Sequence, residues 1–401
     1  MAETLGIEYY EVVKAAIIPA ILYFGSAFWM VHLEAGKRGL LGLPKSELPS
    51  PVRAIRESWY LILPLAALVY LLFSGYTPLF AGTIGLSLTV LLILGASVAL
   101  RLPGIVLRYV FWIGLGLVAA GFFRFGINAI LAAAAALIVV NVFIAGGRDT
   151  LAACRDALAE GAKTALPVGV ACAVVGVIIG TMTLTGVANT FGQYIVSVGK
   201  TSLFLSLVLT MITCLILGMG IPTIPNYIIT STIAGPALLA LGVPLIVSHM
   251  FVFYFGILAD LTPPVALACF AAAPIARESG LKIAMQALKI AAAGFVIPYM
   301  AVYTPALMLQ EGGPLTESIG FVPAVIYIVF KTSLSIMLWG MAVIGFFRAG
   351  LTWWERIVAT VAAFTLVAAL PVTDEVGFAL AAALLGWHWW RTRARHEPAA
   401  P

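Results

Sequence analysis

Long apolar runs set the strongest limit on what this chain can fold into. They fall at about residues 12–31, 59–73, 77–100, 104–122, 127–144, 166–184, 201–217, 226–241, 244–276, 283–303, 321–346, 353–370 and 376–390. A hydrocarbon core about 30 Å thick takes roughly 20 apolar residues per crossing helix. Backbone polar groups at that depth must be satisfied within the segment, which selects helices. Only 10% of the 401 residues are charged and 62% are hydrophobic, against about 25% charged in an ordinary soluble domain. The expected fold class is an all-α polytopic membrane protein.

Charge placement carries the topology. The net charge of +5 does not form the continuous basic face that nucleic acid requires, and no nucleic-acid partner is expected. Lys and Arg instead sit in short clusters between the runs, as the positive-inside rule describes. The loop 34–58 carries Lys37, Arg38, Lys45, Arg53 and Arg56 and is placed inside. Strict alternation then puts Arg101 and Arg108, Arg148 with Arg155 and Lys163, Arg277 and Lys282, Arg348 and Arg356, and Arg391 with Arg393 and Arg395 inside as well. The acidic stretches 3–11, 311–317 and 374–375 fall outside, with Arg124 and Lys200 as lone cations at outer ends. The N-terminus is therefore expected outside and the basic C-terminus in the cytoplasm.

Cys154, Cys172, Cys214 and Cys269 are dispersed and form no Cys/His cluster of the kind zinc needs. They read as small core residues. Residues 1–11 hold three Glu and no Lys or Arg, unlike a signal peptide. Trp29, Trp59, Trp353, Trp354, Trp387, Trp389 and Trp390 lie near run ends, as interfacial anchors do. The mixed-charge stretch 148–163 has roughly helical apolar spacing and is expected as a connector on the inner surface or as a solvated loop helix.

Two places interrupt the spanning pattern. Between arms at 201–217 and 226–241 lies Gly218-Met219-Gly220-Ile221-Pro222-Thr223-Ile224-Pro225-Asn226, where two Gly and two Pro stop a helix. Each arm is roughly 24 Å long as a helix, marginal for a crossing, so 201–241 is expected as a re-entrant hairpin. Within 244–276, Asp260-Leu261-Thr262-Pro263-Pro264 breaks what is otherwise one long helix. Non-helical backbone at membrane depth persists only against protein or a polar cavity. A broken helix facing a hairpin tip is a common layout of an ion-coupled transport site. A faint inverted repeat aligns residues 1–7 with 275–281, with Lys14 one residue from the place of Lys289.

These breaks supply the candidate site. Hard cations favour oxygen, which unwound carbonyls and Thr or Asn side chains provide. The expected cation ligands are Gly218, Gly220 and Thr223 at the tip and Asp260, Leu261, Thr262 and Pro263 at the break, while Pro222, Asn226, Pro264 and Thr185 are expected on the substrate side. Asp260 reads either as a cation or proton contact or as a cap for amides freed by the break; the Gly/Pro segments read either as ligands or as packing breaks. Helix N-termini suit carboxylate substrates. Thr181, Thr183 and Thr185 read more simply as back-bonding hydroxyls, and His249 as a packed or hydrogen-bonded histidine.

The runs 216–223 (ILGMGIPT) and 251–266 (FVFYFGILADLTPPVA) resemble the large permease component of tripartite ATP-independent periplasmic (TRAP) transporters. The likeness is greatest to the subtype with fused small and large subunits that works with TAXI-type binding proteins. Residues 161–186 and 302–307 (VYTPAL) are similar to that subtype too, so the resemblance covers most of residues 1–309.

The resemblance implies a sodium-coupled, elevator-type importer of small organic anions in the bacterial inner membrane. A periplasmic TAXI-type protein delivers the substrate, sodium is the coupling ion, and no other cofactor is involved. It further implies that 218–223 and 260–264 together hold one sodium, and that a four-helix small-subunit region, a first hairpin and its own Pro-Pro break precede Met1. The expected organisation is a first-repeat remnant at 1–33, connecting helices at 34–164, a second transport repeat at 165–309, and a C-terminal extension at 310–401. The competing readings are an inactive scaffold fragment of such a permease and, less favoured for want of clustered acids or a nucleophile pair, an intramembrane enzyme.

Overall fold

The computed structural model describes residues 1–40, 42–44, 47–368 and 372–393. Lys45 and Arg395, both assigned inside above, lie outside the described residues. The chain begins with α1 (Ala2–Leu5) and α2 (Tyr9–Arg38), separated by Gly6 at φ +65°. The short α3 (Pro51–Ser58) passes through a 3-10 turn (Trp59–Ile62) into α4 (Leu63–Phe73), followed by α5 (Pro78–Ala99), α6 (Ile105–Ala120), a single turn α7 (Phe122–Phe125) and α8 (Ile127–Phe143). Next come α9 (Gly147–Thr185), α10 (Val187–Gly199), α11 (Leu203–Gly218), α12 (Thr223–Ala240), α13 (Leu245–Leu258) with a 3-10 turn (Ala259–Leu261), and α14 (Leu267–Ala276). The last elements are α15 (Gly280–Ala291), a 3-10 turn (Ala292–Phe295), α16 (Val296–Tyr303), α17 (Pro314–Ile319), α18 (Phe321–Ile344), α19 (Trp353–Val367) and α20 (Thr373–Arg393). Among the described residues the only strand-like pairing is an isolated bridge between Phe346 and Gly350.

Helix starts follow the local chemistry. Thr77, Ser202 and Ser279 each accept from the amide three residues on, which satisfies an amide without an intrahelical partner. Pro51, Pro64 and Pro78 sit in first turns, where a missing N–H costs nothing. Among the described residues five stretches are long and apolar enough to cross a membrane: Tyr9–Arg38, Pro78–Ala99, Gly147–Thr185, Gly280–Tyr303 and Phe321–Ile344. Large apolar side chains such as Ile21, Phe24 and Phe28 are exposed along α2, where water would penalise them and lipid does not. The all-α polytopic expectation holds at this level.

The chain forms two compact units. In the unit of residues 2–11 and 43–169, α4, α5 and α8 enclose Leu71, Ile84, Leu91, Leu94, Ile130 and Leu137. The Asn141 amide donates to Leu94 O at 3.2 Å and Leu137 O at 2.8 Å, so a polar group in an apolar layer is bonded to both helices. In the unit of residues 12–42 and 170–401, α12 packs on α13, buried Phe251 and Phe255 of α13 meet Tyr299 of α16, and α18–α20 form a bundle around Ala359, Ala362 and Ala363. There α2 lies against α18: Trp29 Nε1 donates to Met337 O at 3.3 Å, and Lys37 Nζ to Ile344 O at 2.7 Å.

Three expectations change. The stretch 148–163 is neither a separate surface connector nor a loop helix; it continues into the apolar run as the single helix α9, about 58 Å long. No helix-stopping pair separates the two halves, and Pro167 is accommodated inside. Helix α10 was not anticipated, because Asn189, Thr190, Gly192 and Gln193 dilute its hydropathy. It forms because one face, including fully buried Ile195, packs against α11 and α12. The run 283–303 tightens at Ala292–Phe295, where a Cβ on Gly294 would stand 3.1 Å from the Tyr23 ring and 3.4 Å from the Tyr254 hydroxyl.

Candidate functional site

The hairpin expected at 201–241 consists of two packed helices, α11 and α12, joined by Met219–Pro222. Gly220 takes φ +75°, a conformation that a side chain disfavours. The break expected near residue 260 is also present. α13 stops at Leu258, a 3-10 turn follows, Thr262 is extended, the Pro263-Pro264 bond is cis, and Ala266 adopts φ 41° before α14 begins.

The tip lies against both sides of that break. A Cβ on Gly218 would fall 2.7 Å from Gly256 O and 2.9 Å from Ala259 Cβ, so only hydrogen allows this approach. A Cβ on Gly220 would stand 3.2 Å from Val265 Cγ1, beyond the Pro-Pro pair. Asn226 fastens the junction: Nδ2 donates to Gly218 O at 3.3 Å and to Gly256 O at 2.6 Å. Thr230 Oγ1 donates to Asn226 O at 2.8 Å one turn further along.

Three oxygens in this region are buried without a hydrogen-bond partner: Asn226 Oδ1, Asp260 Oδ1 and Tyr254 Oη. The amides near the break bond to backbone carbonyls instead, Thr262 N to Ala259 O at 3.0 Å and Ala266 N to Thr262 O at 3.2 Å. Asp260 Oδ1 therefore does not cap the break. Thr262 Oγ1 donates back to Leu258 O at 2.9 Å. Residues 201–276 contain one carboxylate, Asp260, and no Lys or Arg. Oxygen atoms without donors, in a stretch whose only formal charge is negative, suit a small cation better than an anion.

The remaining expected residues spread outward from this junction. Pro222 precedes α12, and Thr223 opens it on the exposed side. Pro263 and Leu261 are half-buried and Pro264 is exposed; Leu261 also lines a small cavity of about 160 Å³ with Tyr23, Ser26 and Ala287. Thr185 stands at the exposed end of α9 with its hydroxyl on Thr181 O at 2.9 Å, and Thr181 and Thr183 back-bond in the same way. His249 Nδ1 lies 2.9 Å from the Tyr227 hydroxyl, the hydrogen-bonded histidine expected. All four cysteines are free.

Gly256 and Tyr254 were missed. The available signal was a glycine one helical turn before the only carboxylate of residues 201–276, in a largely bulky apolar helix.

A model of the family described as "Tripartite ATP-independent periplasmic transporter, DctM component" matches residues 1–108 and 102–314. No curated protein and no solved structure matches the chain.

Proposed function

The chain belongs to the DctM family of tripartite ATP-independent periplasmic transporters, and we propose on that premise that it is the permease part of a sodium-coupled importer of small organic anions. The family is one of transporters, not enzymes, and a tripartite transporter implies a periplasmic binding protein and a small membrane subunit as partners. The chain is a multi-pass membrane protein.

The observation that carries the proposal is the junction of the hairpin tip with both ends of the broken helix, where buried oxygens of Asn226 and Asp260 lack donors. A sodium ion held there by tip carbonyls and Asp260 offsets the charge that the apolar surroundings penalise. The bound cation and the N-terminus of α12 then favour a substrate carboxylate beside Pro222, Asn226 and Pro264. Movement of the hairpin and broken helix together, as an elevator, exposes the pair alternately. The likeness at 161–186 and 302–307 supports delivery by a TAXI-type protein. The charge pattern supports an inner-membrane orientation with the N-terminus outside and the C-terminus in the cytoplasm.

Uptake of a carboxylate library into proteoliposomes, with the binding protein and small-subunit region supplied, tests the proposal. Accumulation should require an inward sodium gradient. Uptake that is equal under sodium and potassium gradients overturns the coupling. Uptake without any binding protein overturns the delivery step.

A further inference from the structure

In the unit of residues 2–11 and 43–169, a groove of about 820 Å³ lies between α4, α5 and α6. Its walls run from Leu100 to Leu88 on α5 and from Arg108 to Ala119 on α6. At 1.5 Å per residue each wall is roughly 16–18 Å long, close to one leaflet of a hydrocarbon core about 30 Å thick.

The lining changes character along that length. Trp59, Tyr60, Arg108 and Tyr109 gather at one end, whereas the other closes on Ala67, Leu88 and Ala119. No carboxylate lines the groove among the described residues. Arg108 Nε donates to Leu102 O at 3.2 Å and Nη2 to Leu100 O at 3.1 Å. A guanidinium has five N–H donors, so these bonds hold it at the end of α5 with others to spare.

Helix α3, directly before Trp59, adds a second observation. Val52 and Ile55 are exposed beside Arg53 and Arg56. Apolar residues at 52, 55 and 59 share one helical face with cations alongside, the pattern of a helix lying in a lipid interface. Arg108 lines the end of the groove that carries the aromatic residues, and Arg53 and Arg56 lie on the helix that leads directly into Trp59 at that end.

We infer that this groove binds an anionic phospholipid, with an acyl chain along α5 and α6 and its phosphate held by Arg108 with Arg53 and Arg56. The aromatic residues sit at headgroup level, where their apolar rings and polar edges are both accommodated. Gly116 lines the channel, and a Cβ there meets nothing within 4 Å. A large side chain at this position fills the groove without displacing a helix.

The purified chain, incubated with equal amounts of phosphatidylglycerol and phosphatidylcholine, is analysed by native mass spectrometry. The wild type should retain the anionic lipid at least roughly fivefold more, as expected for each basic group near a charged headgroup. Arg108→Gln should abolish that preference. Because Arg108 also caps α5, the double variant Arg53→Gln/Arg56→Gln, on exposed α3, should lower it independently. Gly116→Phe should reduce retention of both lipids while leaving the lipid-free unfolding temperature unchanged. Equal retention of the two lipids by the wild type, or a Gly116→Phe variant that retains lipid normally, overturns the inference. So does complete loss of lipid on purification with a small membrane subunit, which makes the groove a protein interface.

Discussion

The side-chain amide of Asn226 donates to the carbonyl of Gly256 across 2.6 Å, tying the first turn of α12 to the last turn of α13. The same nitrogen reaches Gly218 O, so one side chain holds the hairpin tip against the helix that precedes the break. Asn226→Asp replaces this donor with an acceptor facing two carbonyls. It should lower sodium-driven uptake at least tenfold and destabilise the protein by roughly 1–3 kcal/mol. Uptake and thermal unfolding measured on the same preparation check both effects; wild-type values in each would remove the clamp role.

Gly218→Ala should be far more damaging than its size implies, because the added carbon meets Gly256 O and the Asn226 amide, both at 2.7 Å. The tip has to lift away from Ala259. Gly180→Ala provides the contrast, since nothing lies within 4 Å there and alanine favours a helix by about 1 kcal/mol. Transport should fall severely in the first variant and stay unchanged in the second. Equal behaviour of the two would show that the tip does not need close approach.

Asp260→Asn keeps the side-chain shape and removes the only formal charge between residues 201 and 276. The sodium concentration for half-maximal uptake should rise at least tenfold, while the unfolding temperature changes little. A sodium dependence identical to that of the wild type would take Asp260 out of the cation site.

In the C-terminal bundle, Lys331 Nζ lies 2.5 Å from Asp374 Oδ1, and the Tyr327 hydroxyl donates to Oδ2 at 2.6 Å. Lys331 is 3% exposed and the Asp374 side chain 21%, so removal of the lysine leaves a carboxylate that water reaches only in part. Lys331→Met should destabilise the protein by about 1–3 kcal/mol, since Asp374 keeps its Tyr327 hydrogen bond and some water, and the double variant Lys331→Met/Asp374→Leu should regain most of that loss. Thermal unfolding in detergent distinguishes them, and a double variant no more stable than the single one would refute the pairing argument.

A second charged cluster joins α19 to α20. Glu355 Oε2 accepts from Thr352 N at 2.7 Å and lies 3.0 Å from Arg391 Nη2; Oε1 lies 3.2 Å from His388 Nδ1. Glu355→Gln should loosen this end of the bundle, seen as faster amide exchange in residues 352–356 with α18 unaffected. Unchanged exchange there would leave the cluster without a role in holding the bundle.

Much of this architecture was legible in the residues because its causes are local. Apolar length produces spanning helices wherever lipid is the solvent, and the breaks at 219–222 and at Pro263-Pro264 follow from local backbone sterics, whereas Pro225 falls in the first turn of α12, where a missing N–H costs little. Helix α10 escaped notice for the opposite reason. Its polar residues hide a buried face that exists only once Ile195 has α11 and α12 to pack against. The union of 148–163 with the following run was hidden as well, since the change from charged to apolar composition resembles a boundary while the backbone continues through it.

By itself the sequence determined the solvent, the positions of the helix breaks and the single carboxylate beside one of them, all consequences of side-chain type and short-range backbone sterics. Only the tertiary structure decided that the tip at Gly218 meets Gly256, that Asn226 uses its amide to hold the two together, and that Asp260 Oδ1 is left without a donor. Those relations join segments 30 residues apart at Asn226–Gly256 and more at Gly218–Gly256, and no local preference encodes which buried groups will find a partner once the helices pack.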